Sequence, residues 1–441
     1  MLVCGIDIGT TNLKVALFDE NNRLVWLRTE ATPRMHDTYG SLTDAASLLQ
    51  MIEGIVVQGW YERGEGRPIL AIASAGVGED GLFVDADLEP LSPAIPWFDQ
   101  RARLEASELA SGTAATPRAG IAIDPTRSAS KWLWSARHTP QIANAANTWL
   151  CLTDFPLAKW AATPFISDTL ASRTGCFDPV ARKWIGPLLS ASHAPPMPPV
   201  VAAGSIVGTL QSHALLDSGA ASRNTLLVAG GHDHPVAAHA IHRLATSARV
   251  DSMGTANVIY GDAFAFSIDA FDSLIAFTAS IEGPGNVGCL GVFEFTAAVN
   301  RYPPGMEAIR RVLALRKMPG PAGDLSGPSF NTERELLEWA TMSARRMLER
   351  LRGYGVPDGP IFVTGGWSRS RALVELRASL FGEPIHVPEE RELTVLGAAL
   401  LAARAAGGST EFKTPITVVE PIEVWRRAYA DAFARISTDI A

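Results

Sequence analysis

Residues 2–19, LVCGIDIGTTNLKVALFD, constrain the fold of this chain more than any other segment. An apolar run leads to Asp7, a short polar stretch follows, and a second apolar run begins near Lys14. Two apolar runs joined by a short polar connection predict a β-hairpin. Ordinary hairpins favour Asn-Gly or Asp-Gly at the tip, whereas this tip reads Gly-Thr-Thr-Asn. The tip therefore has the chemistry of a binding loop rather than of a plain turn.

The groups at this tip suit a polyphosphate that carries a divalent cation. Backbone N–H groups and hydroxyls can donate to phosphate oxygens, and an ammonium group supplies a point charge. A carboxylate can hold Mg²⁺ or the water ligands of Mg²⁺. The predicted phosphate-binding residues are Gly9, Thr10, Thr11, Asn12 and Lys14, and the predicted Mg²⁺ ligand is Asp7.

The residues around and after the hairpin continue the same fold. Strand signals cover residues 2–8, 13–19 and 23–29, and apolar residues at helical spacing follow over residues 44–63. Residues 69–73 then read as a buried strand. A strand meander, a helix and a further strand are the element order of a ribonuclease-H-like α/β domain.

A second motif, GGHDHPVAAHA, spans residues 230–240 and follows the strand-like residues 226–229. Asp233 lies where this strand is expected to end. By itself, an aspartate in this position is better explained as a cap at the end of the strand or as a turn former.

A third motif, DSMGTAN at residues 251–257, repeats the opening DIGTTN at residues 7–12 with one additional residue. Both share Asp, Gly, Thr and Asn in the same order, and an apolar strand follows each. We interpret them as an internal repeat whose two tips face one nucleotide. Asp251 is then a second candidate for positioning Mg²⁺.

A fourth motif, IFVTGGWSRSRALVELRASLFGEPIHVP, spans residues 361–388. It reads as a buried strand, a Gly-Gly pair, and a helix that begins near Ser370 and ends at Gly382. Glycines between a strand and a helix allow a flat ring to lie close to the backbone.

In this order, the four motifs resemble those of the FGGY carbohydrate kinases, a family of the actin-like ATPase superfamily. The similarity covers about residues 2–405 and includes PWFDQRA at residues 96–102 and ASRTG at residues 171–175. The resemblance implies an α/β fold of two ribonuclease-H-like (actin-like ATPase) domains that face each other across a catalytic cleft. We place the N-terminal domain at residues 1–241 and the C-terminal domain at residues 242–441.

The resemblance also implies an activity, namely transfer of the γ-phosphate of ATP, with Mg²⁺, to a sugar hydroxyl. In the family, an aspartate at the place of Asp233 takes the proton of that hydroxyl. Phosphoryl transfer passes through a loose transition state, so the proton leaves late and an ordinary carboxylate is a sufficient base. The nucleotide-binding residues implied in the second half are Gly254, Thr255, Gly365, Gly366 and Ser370.

The sugar is expected beside SAGVGEDGLFVD at residues 74–85. Glu79 falls where glycerol kinases have a sugar-contacting Glu, but Gly78 falls where they have an Arg, which argues against glycerol. The sequence is equally compatible with Glu79 lying in a solvated turn and Trp97 packing in the core, instead of either residue contacting the sugar. The predicted substrate-binding residues are Glu79, Asp80, Trp97, Asp99, Asp124 and Asp233.

A pocket with several carboxylates and few cations accepts hydrogen bonds from hydroxyls and repels a carboxylate. The expected substrate is therefore a neutral ketose or polyol of the xylulose, ribulose, fuculose, tagatose or erythritol type. Alternatives are a sugar-acid kinase of the gluconate type and a non-catalytic sugar or nucleotide sensor on the same fold.

A metal-dependent hydrolase built on Gly-His-Asp-His is a further alternative, because clustered His and Asp side chains bind metals. The sequence offers no second cluster of matching ligands. His239 and His242 are instead expected on a helix after Asp233, in a supporting or packing role.

Composition limits the partners of the chain. The net charge is −8 and dense Lys/Arg runs are absent from the sequence, which argues against nucleic acid and anionic membranes. Apolar runs stay short of the roughly 20 residues that a membrane span needs. The four scattered cysteines match no zinc spacing and read as reduced thiols. We expect a cytoplasmic enzyme with a small carbohydrate partner; paired protomers are common among relatives, so a homodimer is compatible.

Overall fold

The computed structural model describes most of the chain. Thr255, one of the predicted phosphate-binding residues, lies outside the described residues. The described residues are 1–112, 122–254, 256–264, 266, 274–293, 295–316, 320–321 and 331–438.

The first half of the chain forms an α/β domain. Its strands are β1 (Leu2–Ile8), β2 (Asn12–Asp19), β3 (Leu24–Ala31), β4 (Arg34–His36), β5 (Ser41–Thr43), β6 (Ile69–Gly76), β7 (Gly81–Val84), β8 (Thr148–Cys151), β9 (Ile166–Ser167), β10 (Phe177–Asp178), β11 (Lys183–Trp184), β12 (Val200–Val201), β13 (Ile206–Thr209) and β14 (Ala221–His232). Its helices are α1 (Ala45–Arg63), α2 (Arg103–Ser111), α3 (Ser128–His138), α4 (Pro140–Ala145), α5 (Phe155–Ala161), α6 (Asp168–Ala171), α7 (Gly186–Ala191), α8 (His213–Asp217) and α9 (Asp233–His242).

The main sheet of this domain has the strand order β13-β14-β6-β1-β2-β3. Strand β1 pairs antiparallel with β2 and parallel with β6, and β6 pairs parallel with β14. In this register Ile8, Gly76 and His232 are neighbours. Three strands therefore end at the same edge of the sheet, and the residues that follow them meet there, where open α/β sheets bind ligands.

The second half repeats this scheme. Its strands are β15 (Arg249–Met253), β16 (Asn257–Phe264), β17 (Ile275–Ala279), β18 (Asn286–Phe293), β19 (Ile361–Thr364), β20 (Ile385–Pro388) and β21 (Ile416–Val419), and its helices are α10 (Phe295–Arg301), α11 (Gly305–Leu315), α12 (Glu333–Gly353), α13 (Arg371–Phe381), α14 (Leu393–Ala405) and α15 (Glu423–Thr438). The sheet order is β17-β18-β16-β15-β19-β20-β21, with β15 between its hairpin partner β16 and the parallel strand β19.

Helices α9 and α14 join the halves, because they share one hydrophobic core with strands of both sheets. Their packing is close at two glycines. A Cβ on Gly397 of α14 would lie 2.1 Å from the carbonyl oxygen of Val236 in α9, and a Cβ on Gly5 of β1 would lie 2.1 Å from that of Val395. A helix from late in the chain thus packs on the N-terminal sheet, and the boundary at residues 241/242 stays a prediction.

Two further features of the described residues concern the cysteines and the question of a membrane span. Cys4, Cys151, Cys176 and Cys289 are buried free thiols. None of the helices in the described ranges combines the length and the apolar composition that crossing a bilayer requires.

Candidate active site

A cleft of about 390 Å³ lies where the ends of β1, β6 and β14 face the β15–β16 hairpin. Both hairpin tips reach this cleft, and so does the start of α9. The predicted site residues that line it are Asp7, Gly9, Thr10, Thr11, Asn12, Lys14, Glu79, Trp97, Asp233, Gly254 and Gly365.

The first hairpin tip is a tight turn. The Gly9 N–H donates to the carbonyl oxygen of Asn12 over 3.0 Å, and a Cβ on Gly9 would lie only 2.8 Å from that oxygen. The Trp97 Nε1–H donates to the hydroxyl of Thr10 over 2.9 Å. Trp97 therefore both lines the cleft and holds the tip in place.

Asp7 is partly buried at the floor of the cleft and stands opposite Lys14 in the β1–β2 ladder. Loss of solvent raises the pKa of Asp7 to about 7; Lys14 opposes this rise, whereas Asp233 and Glu392 add to it. A divalent cation would stabilise the ionised form, and a carboxylate oxygen is the ligand type that Mg²⁺ prefers. This carboxylate fits the predicted Mg²⁺ site.

Lys14 has a partner in the second half of the chain. Its Nζ lies 2.5 Å from Oε2 of Glu392, which immediately precedes α14. The ammonium group borders the cleft, so its charge is shared between this carboxylate and any anion that binds there.

Asp233 is the first residue of α9, and its side chain is 29% exposed. Its Oδ1 accepts the backbone N–H of His234 over 2.7 Å and lies 3.2 Å from Nε2 of His232. Burial and Arg173 lower the pKa of His232 well below its usual value, so this imidazole is neutral. The cleft thus contains an accessible carboxylate, that of Asp233, at the amino end of α9. The amino end of a helix attracts negative charge.

The ligand atoms of His232, Asp233 and His234 all lie within 4.8 Å of one another, the grouping that the hydrolase alternative requires. However, within the described residues Nδ1 of His232 is buried without a hydrogen-bond partner. A metal on Nε2 would leave a proton on Nδ1 with no acceptor, which disfavours binding.

The other two histidines of the second motif lie on α9, as predicted, but face away from the metal candidate. Nδ1 of His239 lies 2.8 Å and Nδ1 of His242 lies 3.4 Å from Oε1 of Glu282, in the β17–β18 turn. They connect α9 to the C-terminal sheet and add no ligand to the His232 group.

Glu79 is 7% exposed and lines the cleft. Its Oε1 accepts from Arg127 Nη1 over 3.0 Å and from Arg173 Nε over 2.9 Å. Burial alone would raise the pKa of Glu79, but these two guanidinium groups hold it below its usual value. The expectation of a sugar pocket with few cations is therefore wrong, because Arg173 also lines the cleft.

Asp80 and Asp99 were predicted to line the sugar pocket, but they lie behind its wall. Asp80 is 1% exposed, its Oδ1 accepts the backbone N–H of Trp97 over 2.6 Å, and burial raises its pKa to about 6. Both oxygens of Asp99 accept from Arg101, each over 2.8 Å. These carboxylates support the polypeptide around Trp97 rather than face a sugar.

Asp124 is likewise outside the lining of the cleft. Its Oδ1 accepts the backbone N–H of Thr126 over 2.7 Å, in the turn before α3. Its Oδ2 lies 3.8 Å from Nε of Arg127. Through Arg127, which also contacts Glu79, Asp124 is connected to the wall of the cleft.

Asp251 cannot hold Mg²⁺ in this arrangement, which corrects the expectation from the repeat. It is 0% exposed, its Oδ1 accepts from Nδ2 of Asn257 over 2.7 Å, and Nη1 of Arg377 lies 3.6 Å from its Oδ2. Arg377 also donates to Oδ1 of Asn257 over 2.6 Å. The carboxylate is thus neutralised inside the C-terminal domain.

A second cavity of about 900 Å³ adjoins Gly366 and Ser370. Its lining combines apolar side chains, from Met306 and Leu313 of α11 and from Trp367, with four arginines, namely Arg310, Arg316, Arg369 and Arg371. The Ser370 hydroxyl caps α13 by accepting the Leu373 N–H over 3.4 Å. A flat, largely apolar ring suits such a cavity.

Gly365 holds the two loops of the C-terminal domain together. Its φ is +83°, and a Cβ there would lie 2.5 Å from the carbonyl oxygen of Met253. The turn after β19 therefore lies directly against the second hairpin tip.

Sequence reasoning assigned no place in the cleft to Arg173, His232 or Arg391, and it did not predict Glu392 as the partner of Lys14. For Arg173 a signal was present, since it lies in the ASRTG sequence that carries part of the resemblance. Glu392 directly precedes the small-residue helix α14, where sequence alone gave it no partner.

Both halves of the chain match domains of one protein family. Residues 2–239 match the N-terminal domain of the FGGY family of carbohydrate kinases, and residues 303–406 match the C-terminal domain of the same family.

Similar proteins cover almost all of the chain. The xylulose kinase of Streptomyces coelicolor is 25% identical over 431 residues, which span 91% of this chain and 87% of that protein. The gluconokinase of Bacillus subtilis is 24% identical over 471 residues, or 93% and 91% of the two chains. Among solved structures, a xylulose kinase from Brucella ovis superimposes with a TM-score of 0.84 at 21% identity, covering 99% of this chain and 98% of that one. The gluconate kinase from Lactobacillus acidophilus gives 0.86 at 17% identity, covering 99% and 97%.

Proposed function

The chain belongs to the FGGY family of carbohydrate kinases, and from this premise we propose that it phosphorylates a small neutral sugar, a ketose or a polyol, with Mg·ATP. One observation carries the proposal: Asp233 opens into the same cleft as both hairpin tips. A proton acceptor and two phosphate-binding loops in one cleft are the parts that phosphoryl transfer to a hydroxyl requires.

Mg·ATP, when bound, supplies the phosphoryl group. The N–H groups and hydroxyls of Thr10 and Thr11 would hold the phosphates where Gly254 lines the same cleft, and Asp7 would hold Mg²⁺. The cavity beside Gly366 and Ser370 would hold adenosine, because it has apolar side chains in its lining and is bordered by Met253 and Gly254 of the second tip. Thr255 stays a predicted part of the second tip.

Asp233 would accept the proton of the attacking hydroxyl. The backbone N–H of His234 fixes the rotation of the carboxylate by binding Oδ1. The neutral His232 beside it brings no positive charge that would compete with the hydroxyl proton. Glu79 and Trp97 would orient the sugar from the opposite wall.

A neutral substrate agrees with the charges at the wall, although for a different reason than the sequence suggested. Glu79 is balanced by Arg127 and Arg173, and Arg127 is close to Asp124. The two anions and two cations leave no excess charge for a sugar carboxylate. The xylulose kinases among the relatives make xylulose the first sugar to test.

The test is ADP release from Mg·ATP over a panel of ketoses, polyols and aldonates, with Asp233→Asn in parallel. General-base catalysis contributes about 10²–10⁴-fold, so we expect kcat to fall by that factor while ATP binding is retained. Asp431→Asn, a change at an exposed position of α15, is the matched control and should match wild type.

Other outcomes would contradict parts of the proposal. An Asp233→Asn enzyme within about threefold of wild type would remove Asp233 from the role of base. Turnover of an aldonate without turnover of any ketose or polyol would overturn the neutral substrate. ATP binding without any turnover would favour a sensor.

A further inference from the structure

We propose that Arg173 is a positioning residue that fixes Glu79 as the acceptor for a substrate hydroxyl, and that Gly78 makes the room for it. This inference rests on the proposed function, because it assigns Glu79 to the sugar. It concerns the cleft wall formed by Gly78, Glu79 and Arg173, together with Arg127 behind it.

The donors around Glu79 are distributed unequally between its two oxygens. Oε1 accepts from Nη1 of Arg127 over 3.0 Å and from Nε and Nη2 of Arg173 over 2.9 and 2.5 Å. In the described part of the chain, Oε2 receives no hydrogen bond and is not among the buried polar atoms without a partner. Glu79 lines both the cleft and a small cavity beside Lys131 and Trp149, and Oε2 is its oxygen that is left for a donor of the substrate.

An anchored carboxylate with one open oxygen selects a particular kind of group. An ionised carboxylate only accepts hydrogen bonds, so its partner must be a donor such as a hydroxyl. The chain of charges Asp124, Arg127, Glu79 and Arg173 is neutral as a whole. A sugar carboxylate bound here would therefore be repelled by the negative charge on Oε2 of Glu79. The four charged groups leave no excess positive charge to offset this repulsion.

Gly78 is what allows Arg173 to reach Glu79. A Cβ on Gly78 would lie 2.5 Å from Cγ of Arg173 and 2.9 Å from Cδ2 of His232. The methylene stem of Arg173 occupies the space that any larger residue at this position would take. The contact between Arg173 and Glu79 therefore depends on glycine at position 78, although Gly78 and Arg173 lie far apart in the sequence.

Removing Arg173 should make the protonation of Glu79 matter for sugar binding. Burial raises the pKa of Glu79, and Arg173 is the strongest of the influences that lower it. The charged and titratable groups that face Glu79 are Arg127, Lys131, Arg173, Asp80 and Cys151. Without Arg173, the carboxyl takes up a proton at a higher pH and its Oε2 ceases to be a charged acceptor as the pH falls.

The experiment compares wild type with Arg173→Met, using xylulose as the sugar. Hydrogen bonds to charged groups are worth enough to change affinity by about 10- to 100-fold, so we expect the KM for xylulose to rise by that factor. We expect kcat and the KM for ATP to stay within about threefold, because neither phosphate loop is touched. An unchanged KM for xylulose would overturn the proposal.

The pH profile separates positioning from a general loss of structure. Between pH 8 and pH 5 the KM for xylulose should rise more steeply in Arg173→Met than in wild type, where the titrating neighbour is Asp80, with a pKa of about 6. The double variant Arg173→Met/Glu79→Gln should lose this additional rise, since residue 79 no longer titrates. An additional rise that persists in the double variant would point to His232, which also faces Arg173, and would overturn the assignment to Glu79.

A matched control and a second variant keep the test decisive. Arg249→Met breaks another ion pair of a buried arginine, with Glu383, at the start of β15 and outside the cleft lining, and should leave the KM for xylulose within about twofold. Arg173→Lys keeps the positive charge but replaces the two donor nitrogens that contact Oε1 of Glu79 with a single ammonium group. An intermediate KM for xylulose is therefore expected.

A titration that does not depend on turnover distinguishes failure of this inference from failure of the proposed function. Carbon-13 NMR of labelled Glu side chains, assigned with Glu79→Gln, should show Glu79 titrating at a higher pH in Arg173→Met than in wild type. The same midpoint in both proteins would overturn the positioning role. A shifted midpoint in a protein that turns over no sugar would contradict the proposed function alone.

Discussion

The β1–β2 and β15–β16 hairpins are built alike, yet their aspartates have opposite surroundings. In each, the first strand pairs antiparallel with its hairpin partner and parallel with a later strand, β6 or β19. Asp7 stands opposite Lys14 and borders the cleft. Asp251 stands opposite Ile259 and is fully buried.

The neighbours of each aspartate explain the difference. Asn257 donates to Oδ1 of Asp251 and the Arg377 guanidinium faces Oδ2, so Asp251 has a cation of the protein beside it, although burial still raises its pKa. Lys14, the cation nearest Asp7, is paired with Glu392, and the pKa of Asp7 rises to about 7. The two hairpins therefore share a backbone arrangement but differ at the aspartate. Asp251 has a cation of the protein, Arg377, beside it, whereas Asp7 suits a bound cation.

The largest expected effect concerns the internal cation. Arg377→Met should lower the free energy of unfolding by about 3–5 kcal/mol, because it leaves the Asp251 carboxylate buried without its charge partner. Denaturant unfolding followed by tryptophan fluorescence measures the loss.

The first hairpin supplies the matched control. Lys14→Met should cost less than about 1 kcal/mol, because the Lys14–Glu392 pair is partly exposed. The double variant Asp251→Leu/Arg377→Met should recover much of the stability, since it removes both buried charges. Equal losses from Arg377→Met and Lys14→Met would show that the two hairpins do not differ in this way.

How far the sequence predicts this fold depends on the range of the interactions. The strand over residues 2–8 was predicted with the observed bounds, and the helix over residues 44–63 became α1 with Asp44 as its cap. These elements follow from apolar periodicity and capping, which are local. The family resemblance added the two-domain arrangement, which the comparisons confirm.

The charges around the site were harder to predict, because their partners are distant in sequence. Glu79 and Arg173 are 94 residues apart, and no local pattern joins them. For Arg377 a signal existed: it lies four residues after Leu373, on the apolar face of α13. A charged residue on such a face needs a buried partner, and Asp251 is that partner.

A smaller effect separates the two aspartates in catalysis. Asp7→Asn should lower kcat by about 100-fold, because charge stabilisation at a phosphoryl group is lost. Asp251→Asn should retain kcat within about threefold per folded molecule, since its carboxylate does not face the cleft. Steady-state kinetics at saturating sugar and Mg·ATP measure both.

The pH dependence of nucleotide binding checks the same assignment. The pKa of Asp7 is about 7, so the carboxyl becomes protonated as the pH falls below that value and its attraction for Mg²⁺ weakens. The KM for Mg·ATP should therefore rise below pH 7 in wild type and in Asp251→Asn, but not in Asp7→Asn. Loss of this dependence in Asp251→Asn would contradict the comparison.

The smallest effect concerns Lys14, which has no charged counterpart in the second hairpin because Ile259 occupies its place opposite Asp251. Glu392 and a bound phosphate compete for the Lys14 ammonium group, so Glu392→Gln should lower the KM for ATP. The pair is 27% and 21% exposed, and such pairs are worth about 1 kcal/mol at most, which limits the change to about fivefold. The exposed neighbour Glu389, changed to Gln, should have no effect. A higher KM for ATP in Glu392→Gln would mean that Glu392 holds Lys14 in position for the phosphates instead of competing with them.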